Sequence, residues 1–382
     1  MKTLPAVLLT LLSGSLYAAK PVVSPFATLE AGFESNVFQS PDTFAGTTEP
    51  VKDDTFLRYE AGVDLAWRFP AGRRVDLSVA HEEIRFSSHN LMNRYGTDVW
   101  AQYRHPLNDR WELSTAGYWE SRRERGVDVD GLPLSQTYTY SAFEISPRVE
   151  WKGPVFDDLG LSEVRFTLSH RAADYETPIS TNVQSQDYSQ NKFGLRLLQN
   201  YSSQTAAWFE YEVEMRDYDD YIARLGGPAA LEGDQDPNGT LRSHTDHHLA
   251  LAWEKRPRPG VRWELGLTAT VRDDGFQNYF GYKEAGIYVK GKHRFPSKTE
   301  LSGRASWATR GYDVQTLSLV DATQRRVSLP RATIKAAQPL GARWKVHARY
   351  DFDSQDSNIN SPTSPLQGFT DHALSGGVTF DW

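Results

Sequence analysis

Val261-Arg262-Trp263-Glu264-Leu265-Gly266-Leu267-Thr268-Ala269-Thr270-Val271-Arg272 is the stretch that decides the fold. Apolar residues hold every odd position, and polar or small residues hold every even one. A period of two belongs to a β-strand, because successive side chains leave opposite faces of the pleat. The pattern recurs elsewhere. Trp344, Val346, Ala348, Tyr350 and Phe352 alternate with Lys345, His347, Arg349, Asp351 and Asp353. Ala207, Phe209, Tyr211, Val213 and Met215 alternate with Trp208, Glu210, Glu212, Glu214 and Arg216. In the last segment Leu374, Val378, Phe380 and Trp382 share one face.

About sixteen such segments are expected: 26–33, 55–69, 73–87, 95–105, 110–122, 137–151, 160–174, 186–200, 204–217, 241–256, 260–273, 278–292, 297–310, 324–338, 342–354 and 369–382. Their connectors alternate in length. Short ones such as Pro70–Gly72, Pro106–Asp109, Tyr201–Ser203, Arg256–Pro259 and Pro339–Gly341 interleave with long ones. The long set includes Glu34–Asp54, Arg123–Gln136, Tyr175–Ser185, Tyr218–Thr240 and Ser354–Gly368. Lys152–Leu159 and Asp274–Gln277 depart from the parity. Loops sorted in this way are the mark of a membrane barrel, with short periplasmic turns and long outer loops. A sheet in lipid must close, since every backbone N–H and C=O needs a partner inside the protein. The expected fold is therefore all-β: a transmembrane antiparallel up-and-down β-barrel of about sixteen strands with both termini periplasmic. Pro147 falls late in its segment and weakens that boundary, because proline cannot donate to a ladder.

The N-terminus, Met1–Lys20, reads as a secretory signal peptide cut after Ala18 or Ala19. Residues 1–19 are thus expected to be removed, leaving 20–382 as one barrel domain. No stretch approaches the ~18 apolar residues of a transmembrane helix. Mean hydropathy is -0.56, which does not argue against a membrane barrel, since only alternate strand residues meet lipid. The 11 Trp, 18 Tyr and 18 Phe, against 3 Met, suit aromatic girdles at two interfaces. Absence of Cys suits passage through an oxidising compartment. A net charge of -7 without a basic patch excludes nucleic acid as a natural partner. The chain closes on Gly377-Val378-Thr379-Phe380-Asp381-Trp382. Alternation ending in an aromatic carboxy-terminal residue resembles the signal read by the outer-membrane assembly machinery, which points to Phe380 and Trp382. The expected location is the Gram-negative outer membrane, with its lipids and lipopolysaccharide as partners.

If the apolar faces meet lipid, then Glu210, Glu212, Glu214, Arg216, Arg262, Glu264, Arg272, Lys345, Arg349 and Asp351 line the lumen, with Thr268 and Thr270 beside them. Mixed charges of this sort fit a water-filled pore or a lumen crosslinked by ion pairs. The loop Tyr218–Thr240, with Gly226-Gly227-Pro228 followed by Ala229, Ala230 and Leu231, is the natural candidate for a constriction.

Catalytic and metal chemistry is weaker in the sequence. His244, Asp246, His247 and His248 could hold a metal, but alternation throws His247 and His248 onto opposite faces. Ser169, His170 and Asp174, or Ser78 with His81, could imitate a hydrolase set. Asp217, Asp219 and Asp220 with His244 could imitate a protease rim. The acidic runs Asp217–Asp220 and Glu232–Asp236, and Asp351, Asp353 and Asp356, could bind Ca²⁺ or bridge to lipopolysaccharide through divalent cations. None has a second supporting feature, so no catalytic residue, cofactor or metal ligand is assigned, and the chain is not expected to be an enzyme.

Two passages carry a resemblance. Leu29-Glu30-Ala31-Gly32-Phe33-Glu34-Ser35-Asn36-Val37-Phe38 opens the mature chain, and Tyr350-Asp351-Phe352-Asp353-Ser354-Gln355-Asp356-Ser357-Asn358-Ile359 precedes the final strand. Both are similar to the D-S-N-hydrophobic turns of outer-membrane β-barrel porins associated with exopolysaccharide and capsule biosynthesis loci. The first copy departs from that pattern, with Phe33-Glu34 where Tyr-Asp is usual. The resemblance implies a barrel linked to polysaccharide export, with secretion components as partners. The expected function is a porin-like channel or export conduit for polar solutes or polysaccharide. The alternatives are a non-conducting accessory barrel with functional surface loops and an outer-membrane lipase or protease.

Overall fold

A computed structural model gives the fold and describes residues 20–37, 52–127, 133–154, 160, 162–176, 186–226, 232–317, 321–359 and 368–382, without the side chains of 125–127 and 133–136. The signal-peptide residues 1–19 and the loop tip 227–231 lie outside the described residues.

The strands are β1 (Val22–Glu34), β2 (Asp54–Arg68), β3 (Arg74–Phe86), β4 (Arg94–Pro106), β5 (Trp111–Val127), β6 (Pro133–Gly153), β7 (Ser162–Tyr175) and β8 (Tyr188–Ser202). They continue as β9 (Thr205–Ile222), β10 (Leu241–Arg258), β11 (Val261–Asp274), β12 (Tyr282–Arg294), β13 (Glu300–Thr316), β14 (Gln324–Pro339), β15 (Trp344–Ser357) and β16 (Phe369–Asp381). Each pairs antiparallel with its chain neighbours, and β1 pairs with β16, so a single sheet of 16 strands closes on itself. Phe26 opposite Asp381 and Glu34 opposite Ala373 fix that seam. β1 begins and β16 ends at the short-turn end, where the Trp382 N–H donates to the Pro25 carbonyl at 3.0 Å.

The sixteen expected segments and the sixteen strands correspond one to one. The largest boundary differences lie at the long-loop end, where strands run on. Much of Arg123–Gln136 belongs to the β5–β6 hairpin arms, and β9 continues through Tyr218 to Ile222. Pro147 and Pro330 lie in strand interiors with paired residues on both sides. Pro147 in β6 faces Thr115 of β5, but the β6–β7 register skips from Ile145–His170 to Arg148–Thr167. Pro330 in β14 faces Trp307, and the β14–β15 register skips from Ser328–Asp356 to Arg331–Asp353. A proline lacks the N–H that one neighbour needs, so the ladder is interrupted on that side alone.

Burial is the reverse of a soluble protein's. Leu251, Leu267 and Ile287, cross-strand neighbours on β10, β11 and β12, are each more than 40% exposed. Glu254, Glu264 and Asp246 on the same strands are buried. Apolar residues outside and charges inside are what a closed sheet in lipid requires. Near the short-turn end the outer face carries aromatic contacts. Trp253 and Trp263 meet edge to face at 5.0 Å, and Phe380 packs against Trp344 at 4.5 Å and Trp382 at 4.3 Å. Such amphipathic rings suit a membrane interface. Gly260 makes the tight β10–β11 turn at φ 79°, a conformation that disfavours a side chain.

Glycines inside the barrel make room for aromatic rings from the directly opposite position. Gly32 faces Phe56, Gly62 faces Phe26 and Gly266 faces Tyr288. A Cβ at Gly266 would overlap the Tyr288 ring, whose hydroxyl donates to Glu264 at 2.9 Å. Gly266→Val is therefore expected to expel that ring and destabilise the barrel by about 1–3 kcal/mol. Urea titration of the refolded barrel measures this, and a neutral result would mean that the ring is not held over the glycine.

Candidate functional site in the barrel interior

Alternation puts every second residue of each strand on the inner wall. Glu210 pairs with Arg196 at 3.4 Å, Glu212 lies 3.9 Å from Lys192, and Glu214 pairs with Arg216 at 3.0 Å. Arg262 reaches Glu254 at 2.5 Å, while Glu264 accepts from Lys290 at 3.0 Å. Arg272 grips Asp246 with Nε and Nη2, at 2.7 and 2.6 Å. Arg349 holds Asp351 at 2.6 Å, and Lys345 shares that side of β15, opposite Thr379. Thr268 and Thr270 follow on β11.

Further residues that sequence reasoning did not single out complete the wall. Glu120 accepts from Arg122 and Arg171, with Tyr118 beside them at 3.0 Å. Glu150 binds Lys152 and Arg165. Glu30 faces Arg58 and, across β16, His347 at 3.4 Å. That last contact is possible because the residue between them is Gly377. The signal was available: each of these residues occupies the polar register of its strand. Every ion pair between described residues joins strands no more than three places apart in the ring, the widest being Arg94 with Glu34. These pairs run along the wall.

The two ends of the interior differ. Most buried apolar residues gather at the long-loop end. One cluster contains Tyr140, Tyr188, Tyr218, Tyr221 and Phe280. Its rings form an arc: Tyr140 to Tyr175 at 4.9 Å, Tyr175 to Tyr188 at 6.4 Å and Tyr188 to Tyr218 at 5.9 Å. Arginines lie over the rings. Arg216 is 4.2 Å from the centre of Tyr188, Arg242 is 3.8 Å from Phe280, and Arg310 is 4.1 Å from Tyr282. Desolvated contacts of this type contribute ~2 kcal/mol or more each.

The end of β9 and the described residues of the loop after it pack onto this arc. Tyr221 and Ala223 are buried. The Leu225 N–H donates to the Asp234 carbonyl at 2.8 Å, and the Gly226 N–H to Gln277 Oε1 at 3.0 Å. Glu232 accepts from the backbone and hydroxyl of Thr316 at 2.6 and 2.8 Å. Asp236 holds the turn together, and the Thr240 hydroxyl and the Asn238 N–H keep its carboxyl below the usual carboxylate range. These acids are occupied by donors of the protein itself.

The two Ser-Asn-hydrophobic passages also end here. The Asn36 N–H donates to Asp371 Oδ1 at 3.1 Å and its side-chain amide to the Thr370 carbonyl at 3.2 Å. Asn358 accepts from the Arg326 N–H at 2.8 Å and donates to the Gln324 carbonyl at 3.0 Å. Each asparagine prolongs a ladder by its side chain, and the next residue turns into the protein. Val37 packs on Phe86 and Met92, and Ile359 is buried.

The residue sets weighed for hydrolysis are separated. Ser169 is buried, whereas His170 is exposed and bonded to Asn191 at 3.0 Å. His81 is exposed and bonded to Thr97, and Ser78 lies in the opposite register. Asp217, Asp219 and Asp220 are exposed, while His244 is buried. His247 points outward to the Tyr211 hydroxyl at 2.8 Å, whereas His244, Asp246 and His248 share the inner face.

No family profile and no curated protein matches the chain. Among solved structures it is similar to OccAB1 of Acinetobacter baumannii, at 10% identity over 94% of this chain and 96% of that one, TM-score 0.49. It is similar to an anion-selective porin from Comamonas acidovorans, at 9% identity over 95% and 100%, TM-score 0.44. It also resembles CdiB from Acinetobacter baumannii, at 9% identity over 94% of this chain and TM-score 0.48, but spans only 60% of that protein. The closed ring of 16 strands, with its apolar exterior and charged interior, is that of an outer-membrane β-barrel.

Proposed function

We propose that the barrel is a porin-like conduit for polar solutes, with its narrowest part at the long-loop end. The observation that carries this reading is the course of the ion pairs, which among the described residues follow the wall and do not cross the ring. A ring of sixteen strands is wide enough for an aqueous channel. The short-turn end, with both termini, faces the periplasm, and the long loops face outward. Phe380 and Trp382 serve the assembly machinery, and the outer face meets membrane lipid and lipopolysaccharide. The resemblance of the Ser35-Asn36-Val37 and Ser357-Asn358-Ile359 turns favours a glycan as cargo and secretion components as partners. The chain has no catalytic role in this reading.

Single-channel conductance of the refolded protein in a planar bilayer tests it. A steady, large conductance is expected, and removal of residues 224–239 is expected to raise it. Silence in several lipids and voltages, with the barrel shown to be folded, would sink the open-pore reading. That outcome would favour a closed accessory barrel, for which the packed aromatic arc is the supporting observation. Steady hydrolysis of an ester or peptide by the purified barrel would instead revive an enzymatic role.

A further inference from the structure

We propose that the inner wall between β9 and β10 binds one divalent transition-metal cation through Glu214, His244 and Asp246, with His248 beside them. The strand register brings these residues together. His244, Asp246 and His248 project from one face of β10, and Asp246 lies directly opposite Glu214 of β9. One donor atom each from Glu214, His244 and Asp246 lies within 4.8 Å of the others. Asp246 Oδ2 sits 3.9 Å from Nε2 of His244 and 3.9 Å from Nε2 of His248.

An independent feature of His244 points to a ligand. Its side chain is 1% exposed, yet among the described residues neither ring nitrogen has a hydrogen-bond partner. The other histidines of these strands are anchored: His248 to Thr270 at 3.0 Å and His247 to Tyr211 at 2.8 Å. A buried polar atom without a partner is costly and rare in native proteins. A metal ion would use the imidazole lone pair and give this buried ring the partner it lacks.

The surrounding cations decide which metal fits. Arg272 occupies one lone pair on each oxygen of Asp246, and Arg216 holds Oε1 of Glu214, with Lys192 3.7 Å from Oε2. Each carboxylate oxygen has a second lone pair. A guanidinium behind a ligating carboxylate then acts as an outer-shell partner that fixes its orientation. Those same guanidiniums cancel the negative charge on which Ca²⁺ and Mg²⁺ depend. Ions that gain from imidazole, such as Zn²⁺, Ni²⁺ or Cu²⁺, are therefore selected. Ligation at ~2.0–2.2 Å draws the donors closer than they stand here and needs only small side-chain rotations.

The test is Zn²⁺ titration of the refolded full-length barrel by calorimetry, with Co²⁺ absorption reporting the ligand set. One ion per chain is expected, undisturbed by excess Ca²⁺. His244→Asn should weaken binding by at least about tenfold, and His247→Asn, on the opposite face, should leave it unchanged. Heat-shifted electrophoretic mobility verifies that each variant is folded, and Glu214→Gln carries the same expectation should His244→Asn not refold. The proposal is overturned by no saturable binding to the wild type. It is equally overturned if the weakened variants bind as the wild type does, if Ca²⁺ displaces the ion, or if His247→Asn loses binding to the same extent.

Discussion

Arg272→Met is expected to destabilise the folded barrel by about 3–5 kcal/mol, the usual cost of stranding one partner of a buried ion pair. Asp246 is 2% exposed, and both its oxygens accept from Arg272. Arg272 also lies 4.9 Å from the centre of the Tyr282 ring, so the packing at the long-loop end loses a member too. Pairing the change with Asp246→Leu should recover most of the loss, because the double variant leaves no unpaired charge. Urea-induced unfolding of the protein refolded into lipid vesicles gives both numbers. A loss under ~1 kcal/mol would match a hydrated surface pair. It would show that water reaches this height of the lumen.

Leu267→Arg should cost about 2–4 kcal/mol, the range for a cation at the lipid face of a barrel near the bilayer midplane. Leu267 is 53% exposed, midway along β11, between Leu251 of β10 and Ile287 of β12. Thr268→Arg is the control. It sits one residue further on and points inward beside Ala250 and Gly286. The alternation of the strand predicts a large loss at 267 and a small one at 268, with ion selectivity changed only by the latter. Unfolding titrations in vesicles and reversal potentials under a salt gradient measure the two effects. Equal losses at both positions would contradict the assigned faces of β11.

Much of the architecture could be read along the chain. The alternation from Val261 to Arg272 is a local property, and the parity of loop lengths is a count. Closure follows from the demand that no edge be left unpaired in lipid. Strand extensions such as Tyr218–Ile222 were missed because the alternating pattern there is interrupted by Asp219 and Asp220. Pro330 lies inside the expected segment 324–338, but that its missing N–H interrupts only the β15 side is something no single strand reveals.

What the sequence by itself determined is the kind of object: strands, their number, their closure into a barrel, and the sign of each face. These depend on interactions between a residue and its solvent, lipid or water, and such preferences are written residue by residue. Only the tertiary structure decided which residues meet. Glu214 comes opposite Asp246, Gly377 opens the gap through which His347 reaches Glu30, and tyrosines from β6, β7, β8 and β9 form one arc. Those meetings depend on register, and register is set by pairings between residues tens or hundreds of positions apart. A one-residue slip would turn every face over, so the pattern of alternation excludes it, but shifts of two keep every face and leave the partners to the closed sheet.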